Sequence, residues 1–314
     1  MSKLSVVIPS RNSPFAQKTV DDIFAKATGD IEVIIVLDGY WPDPPLNAHK
    51  DLVIIHRGSP HGMRAGINTG AQIAKGDYIM KCDDHCMFGE GFDEILKADC
   101  EDNWIVIPSK YSLDAEKWER TRGPVDYWYL TYPYNVDEMW GTGFHGKKWK
   151  GEHGFTGGFW HRENERRHIL IDDIITFQGS CWFMPKELFL KIDCLDQKNY
   201  NHHQEAQELG FKIWLSGGRN VVNKKTWYAH LHKGKTYGRG FFISKREMVK
   251  SEKFSTDFWM NNRWSKQTKK LKWLIEKDCW WPLGGWPEDW DDPEYAEKWI
   301  HIVDVKLREA KNNG

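Results

Sequence analysis

Tyr78-Ile79-Met80-Lys81-Cys82-Asp83-Asp84-His85-Cys86 is the stretch that decides the fold of this chain. Its first half is a short run entered through the turn Gly76-Asp77, and it reads as a buried strand. Its second half places two carboxylates and an imidazole at that strand's carboxyl end. A hard divalent cation takes carboxylate and imidazole ligands, and a diphosphate needs such a cation to neutralise it. Asp83 and His85 are two residues apart, so in extended backbone their side chains point the same way, and Asp84 points elsewhere. On spacing alone, the same residues serve equally well as a polar strand-end loop whose carboxylates cap the next helix.

Upstream, strand-like and helix-like segments alternate. Leu4–Pro9, Ile31–Leu37 and Leu52–His56 are apolar, β-branched runs. Between the first two lies a helical pattern introduced by Pro14, with Phe15, Ile23, Phe24 and Ala27 at helical spacing and Gly29 as its stop. Gly62 to Ala74 reads as a second helix, and Trp104–Pro108 as a fifth strand. This alternation predicts an α/β fold with a Rossmann-like, doubly wound, mostly parallel sheet. In such sheets ligands bind beyond the carboxyl ends of the strands. Here those ends carry Ser10-Arg11-Asn12, Asp38-Gly39 and Asp83-Asp84-His85.

Downstream, residues 110–170 are rich in Tyr, Trp, Gly and His without a clean period, and they read as a long acceptor-side insertion. Regular structure resumes at Ile171–Pro185, followed by a helix from Glu205 to Ser216 that stops at Gly217-Gly218. Short strands are expected around Val221 and over Trp227–Leu231. After about residue 245 the chain turns helical and Trp-rich, with Trp280–Pro287 as a Pro/Gly break. The expected organisation is a catalytic domain over 1–243, with halves 1–110 and 171–243 flanking an insertion at 111–170, and a helical extension over 244–314.

Composition narrows the function classes. The chain has 314 residues, 40% hydrophobic and 28% charged, enough for a full core. Its formal net charge of −1 argues for no polyanionic partner at the whole-molecule level. The N-terminal apolar run is too short for a signal peptide, and no run approaches the roughly 20 residues of a membrane span. The six cysteines are scattered without a CxxC pair, so they read as reduced, mostly buried thiols of a cytoplasmic protein.

Gly62-Met63-Arg64-Ala65, Gly70-Ala71, Ala74-Lys75-Gly76-Asp77 and Asp83-Asp84-His85-Cys86 together resemble the nucleotide-sugar half of the family 2 and family 27 glycosyltransferases of GT-A fold. The D-x-H-C form resembles the polypeptide N-acetylgalactosaminyltransferases. A second segment, Gln204-Glu205 through Phe211-Lys212-Ile213-Trp214-Leu215-Ser216-Gly217-Gly218, is similar to that family's acidic helix and its F-[RK]-I-W-x-x-G-G run. The family's third metal ligand, a strand histidine shortly afterwards, matches His230.

The resemblance implies a Mn2+ (or Mg2+) held by Asp83, His85 and His230, and a nucleotide-sugar donor with UDP as its nucleotide. It implies that Asp38 meets the uracil or ribose, that Ser10 and Arg11 flank the nucleotide and that Arg64 reaches the diphosphate; Asp84, turned away from Asp83 by strand alternation, is placed to meet the sugar or ribose. Glu205 is the carboxylate beside the reacting sugar: a general base in inverting relatives, a donor-sugar contact in retaining ones. Lys233 to Gly240, with Lys233 and Tyr237, resembles the loop that closes over the donor and excludes water. Two departures stand out. The family's paired Asp-Asp after the second strand is Asp38-Gly39 here, and Glu205 is followed by Ala206 rather than a polar residue.

Between Lys224 and Lys253 nine Lys/Arg face two acids, with aromatics interleaved, a pattern suited to a polyanion as well as to a solvated helix face. The chain also resembles glycosyltransferases of tailed phages, which implies a hydroxymethylated DNA base as acceptor in the host cytoplasm. The Trp/Tyr-rich insertion suits exposing such a base and equally suits stacking on the sugar rings of a glycan; a glycan or protein acceptor is the alternative. A nucleotidyltransferase would want a Gly-rich basic loop after the first strand, and Ser10-Arg11-Asn12-Ser13 is not one. A non-catalytic carbohydrate-binding protein is opposed by the intact set Asp83, His85, Glu205 and His230.

Overall fold

A computed structural model describes residues 2–133, 146–148, 163–238, 241–242 and 244–277, with isolated positions 286, 289–292, 294 and 297. In chain order the strands and helices are β1 (Leu4–Ser10), α1 (Ala16–Lys26), β2 (Ile31–Asp38), β3 (Leu52–Arg57), α2 (Met63–Ile73), β4 (Tyr78–Cys82), β5 (Cys86–Phe88), α3 (Phe92–Ala98) and β6 (Trp104–Asp114). There follow β7 (Glu119–Arg120), β8 (Trp128–Leu130), β9 (Gly146–Lys148), β10 (Ile171–Asp173), β11 (Cys181–Pro185), α4 (Lys186–Lys191), α5 (Glu205–Leu215), β12 (Arg219–His230), α6 (Gly234–Tyr237), α7 (Lys245–Met260) and α8 (Leu271–Ile275).

The main sheet runs β10-β12-β6-β11-β4-β1-β2-β3, with β5 paired to β12 and β7 to β6. β1 pairs in parallel with both β2 and β4. Helices on both faces explain why β1 and β2 are near-continuous apolar runs: a parallel strand covered on two sides has no solvent face to make polar. Leu4, Val6, Val7 and Ile8, like Val33 to Val36, are essentially inaccessible. α1 buries Ala16, Thr19, Val20 and Ile23, the single stripe that a 3.6-residue period produces. Because β2 lies on one side of β1 and β4 on the other, the order reverses there, which opens a crevice at the carboxyl ends of the strands.

Two expectations change in detail. The sheet is mixed, because β11 runs antiparallel to both β4 and β6 between the parallel groups. The two short strands expected near Val221 and Trp227 are one 12-residue strand, β12. Its register against β6 shifts between Asn223 and Trp227, where the polar run Asn223-Lys224-Lys225 interrupts the apolar pattern. Trp259, Trp264, Leu271 and Leu274 pack into the same core as the sheet. Much of the expected insertion (134–145, 149–162) and part of the Trp-rich extension, including Trp280–Gly285 and 298–314, lie outside the described residues. Among the described residues no helix is long and apolar enough to cross a membrane.

α2 lies close against β1 because two of its residues, one turn apart, are glycines. A Cβ on Gly70 would sit 2.4 Å from Val7 Cγ1, and one on Gly66 would sit 3.3 Å from Pro9 Cβ. Val7 is locked in a central strand and cannot retreat. Gly70→Ala is therefore expected to destabilise the fold by about 1–3 kcal/mol through overpacking, and Gly66→Ala by less. Denaturant unfolding of the two variants checks that order.

Candidate functional site

Asp83 to His85 form the turn between β4 and β5, directly at the crevice. Two backbone hydrogen bonds pin the turn: Asp83 N–H donates to Ser180 O at 2.9 Å, and Leu231 N–H donates to His85 O at 3.1 Å. β12 pairs antiparallel with β5 so that His230 lies opposite Cys86. That register carries His230 to the turn although 147 positions of sequence separate it from Asp83. Its Nε2 is 3.2 Å from Asp83 Oδ2, and His85 Nε2 is 3.8 Å from the same oxygen. The two imidazole centroids are 4.7 Å apart. One ligand atom from each of the three residues lies within 4.8 Å of the others.

The donor set fits a divalent cation. Burial pushes the His230 imidazole down to about 3, so the ring is neutral, the form a metal ligand takes. Burial works against an ionised Asp83, but the Lys81 ammonium and the hydrogen bond from His230 outweigh it and hold the carboxyl well below the usual range. His85 Nδ1 is 2.7 Å from Asp84 Oδ1. A carboxylate partner fixes Nδ1 as the protonated nitrogen and leaves the Nε2 lone pair toward Asp83 and His230, the usual support for a metal-bound histidine.

Several residues expected to meet the donor do other work. Asp84 is 4% exposed. Its Oδ2 accepts from Ser10 Oγ at 2.6 Å, and its Oδ1 from His85 Nδ1, with Lys233 Nζ at 3.5 Å. Asp84 thus orients His85 instead of facing a sugar. Ser10 Oγ also lies 2.5 Å from Tyr40 OH, so it too is held inside the turn. Arg64 does not reach for a diphosphate: it is 3% exposed and its guanidinium is occupied. It pairs with Glu208, donates to Asn201 O at 2.7 Å and His203 O at 2.6 Å, and lies over the Tyr200 ring. It ties α2 to the loop before α5. Asp38 accepts from the N–H groups of His61 and Gly62, each at 2.8 Å, and so closes the loop that starts α2.

Glu205 lies at the start of α5, 5% exposed, with Trp182 Nε1 donating to Oε1 at 2.7 Å. Burial raises its pKa, against the opposing pull of Lys81 and the Trp182 hydrogen bond. Lys81 is 1% exposed, and its ammonium reaches Asp83 Oδ1 at 2.7 Å, Gly179 O at 2.5 Å and Glu205 Oε2 at 3.4 Å. Sequence reasoning missed Lys81, Trp182 and Tyr40. A signal for Lys81 exists: a lone charge inside an apolar strand must find a buried counter-charge.

A cleft of about 1610 Å³ opens onto the site. Ser10, Arg11, Asp38, Arg64, Asp83, Asp84, His85, Glu205, His230 and Lys233 all border it. Arg11 stands over the Phe241 ring, and Phe241 meets His202 edge to face. Tyr237 lies outside that lining, with its ring edge-on to Phe15 at 5.4 Å. Arg239 and Gly240 of the expected closing loop lie outside the described residues.

Arg64 supplies a direct check on this assignment. Arg64→Met leaves Glu208, which is fully buried, without one of its cations, and breaking such a pair costs about 3–5 kcal/mol. Thermal unfolding should show that loss, while UDP affinity of the folded fraction, read by calorimetry, should change little.

Comparison with known proteins agrees with this fold. The glycosyl transferase family 2 model matches residues 5–190, which end before Glu205 and His230. Polypeptide N-acetylgalactosaminyltransferase 11 of Xenopus tropicalis is 24% identical over 261 residues, 74% of this chain. The uncharacterized glycosyltransferase YwdF of Bacillus subtilis (strain 168) is 28% identical over 141 residues, 44% of this chain. The chain spans only 39% and 53% of those two relatives. The crystal structure of GalNAc-T7 with UDP, GalNAc and Mn2+ superposes with a TM-score of 0.64 at 14% identity, covering 88% of this chain and 56% of that one. With a family model spanning more than half of its residues on a sheet of GT-A type, this chain belongs to glycosyl transferase family 2.

Proposed function

We propose that this glycosyltransferase moves a sugar from a nucleotide-diphosphate donor, a UDP-sugar, to a hydroxyl acceptor, with Asp83, His85 and His230 holding a divalent cation. The observation that carries this reading is the convergence of those three side chains at the switch point of the sheet, on the floor of the cleft. Two imidazoles and one carboxylate suit Mn2+ better than Mg2+, which prefers an all-oxygen shell. When bound, the cation would neutralise the charge that develops on the departing diphosphate.

The chain's own residues supply the rest. Asp84 holds the His85 tautomer. Arg11 and Lys233 are the cations bordering the cleft that we assign to the nucleotide and diphosphate; Arg64 is excluded by its burial. Asp38 shapes the start of α2, where the nucleotide would lie, and Tyr237 anchors the 233–238 segment against Phe15. Glu205 faces the cleft with both oxygens fixed, suited either to contact the donor sugar or to accept the acceptor's proton. NMR of the product anomer separates the two roles.

A cleft of about 1610 Å³ exceeds the roughly 300–1,000 Å³ of a single small-ligand site, so there is room for donor and acceptor together. His202, Phe241, Phe242 and Phe254 border it, and Phe242 is 90% exposed. Exposed rings of this kind stack on flat partners, and we propose a hydroxymethylated pyrimidine of DNA as the acceptor, with a glycan as the second reading. Transfer of labelled sugar to hydroxymethylated DNA or to oligosaccharides, run side by side, decides between them.

Asp83→Ala, His85→Ala and His230→Ala should each lower Mn2+-dependent release of UDP from a UDP-sugar by about 10²–10³-fold, since a metal contributes several kcal/mol at about 1.4 kcal/mol per tenfold. Excess chelator should do the same to the wild type. Rates near wild type in all three variants, or full activity in chelator, contradict the assignment. Glu205→Gln should also lower the rate; near-wild-type turnover removes it from both roles.

A further inference from the structure

Lys81 borders the cleft, but its buried ammonium is turned into the protein, where it joins two of the site's carboxylates. Its three N–H donors go to Asp83 Oδ1, Gly179 O and Glu205 Oε2. An ammonium has no fourth donor, and at 1% exposure no ligand phosphate reaches it. Each carboxylate is thereby held at both ends. Asp83 gives Oδ1 to Lys81 and turns Oδ2 toward His230 Nε2 at 3.2 Å. Glu205 gives Oε2 to Lys81 and Oε1 to Trp182.

We infer that Lys81 is a positioning residue: it fixes Asp83 as a one-oxygen metal ligand, through Oδ2, and sets Glu205 at a constant distance from the cation site. The inference rests on the metal assignment proposed above. It differs from simple charge balance in the sign of its effect. If Lys81 only neutralised two buried acids, removing it would take a positive charge away from the cation site and tighten metal binding. If it positions Asp83, removing it frees Oδ1, lets the carboxylate rotate away from the two imidazoles, and weakens binding. An outer contact that orients a ligand is typically worth about 10–100-fold in metal affinity.

The test uses the full chain with Mn2+ and UDP as the probe. Lys81→Met alone leaves two buried acids facing each other and can unfold. Lys81→Met/Glu205→Gln removes one cation and one anion together, keeps the buried charge balanced, and retains the amide as a partner for Trp182. Circular dichroism and thermal unfolding report its fold. Titration of free Mn2+ by its electron paramagnetic resonance signal gives the Kd, and the line shape of the bound ion reports its ligand symmetry. The expected result is a folded double variant that binds Mn2+ at least about tenfold more weakly than wild type and than Glu205→Gln alone, with an altered line shape. Binding equal to or tighter than that of Glu205→Gln overturns the inference. A wild type that binds no Mn2+ overturns the metal assignment itself.

Discussion

The pairing of β12 with β5 is the constraint on which the site depends. Without His230 opposite Cys86, the Asp83–His85 turn is a loop at a strand end that brings only two candidate ligands together. With it, the third residue of the proposed cation site arrives from a distant part of the chain, its strand held by backbone hydrogen bonds rather than by a flexible side-chain contact. The same pairing continues into the Leu231 N–H bond to His85 O, so the turn and the histidine strand move as one unit. A site fixed by sheet register is stiff, which suits the cation site proposed for it.

Around that register the fold sorts its charges. Cations that resemble donor contacts are of two kinds. Lys81 and Arg64 are buried and fully engaged, each holding an acid of α5 in place: Glu205 for Lys81, Glu208 for Arg64. Arg11 and Lys233 border the cleft and remain within reach of a ligand. The buried pair joins α5 to β4 and to α2, the elements on either side of the crevice. One helix therefore carries both the carboxylate assigned to the reaction and the carboxylate that anchors the helix.

Much of this was legible in the sequence. The near-continuous apolar runs and the helical stripes between them point to the sheet, since a strand buried on both faces leaves an unmistakable pattern of β-branched residues. That Asp83, His85 and His230 come together is expected from motif spacing together with the resemblance, and the three side chains do meet. What was not legible depends on direction. Whether Arg64 faces a ligand or a carbonyl cluster is set by the 196–203 loop, and no local pattern in Gly62-Met63-Arg64-Ala65 encodes it. Asp84 looked like a ligand contact because alternation along an extended chain turns it away from Asp83; the turn instead points it at Ser10 and His85. β11 follows β10 and enters antiparallel to β4 and β6, a direction that no short-range signal carries.

The central claim is that three residues brought together by strand register hold one cation, with Asp83 contributing a single oxygen. Its most direct test is the anomalous scattering of manganese in crystals grown with Mn2+ and UDP. The account predicts one strong anomalous peak bounded by Asp83 Oδ2, His85 Nε2 and His230 Nε2, with Asp83 Oδ1 still on Lys81. A peak away from His230, or a manganese bound through both oxygens of Asp83, would contradict it.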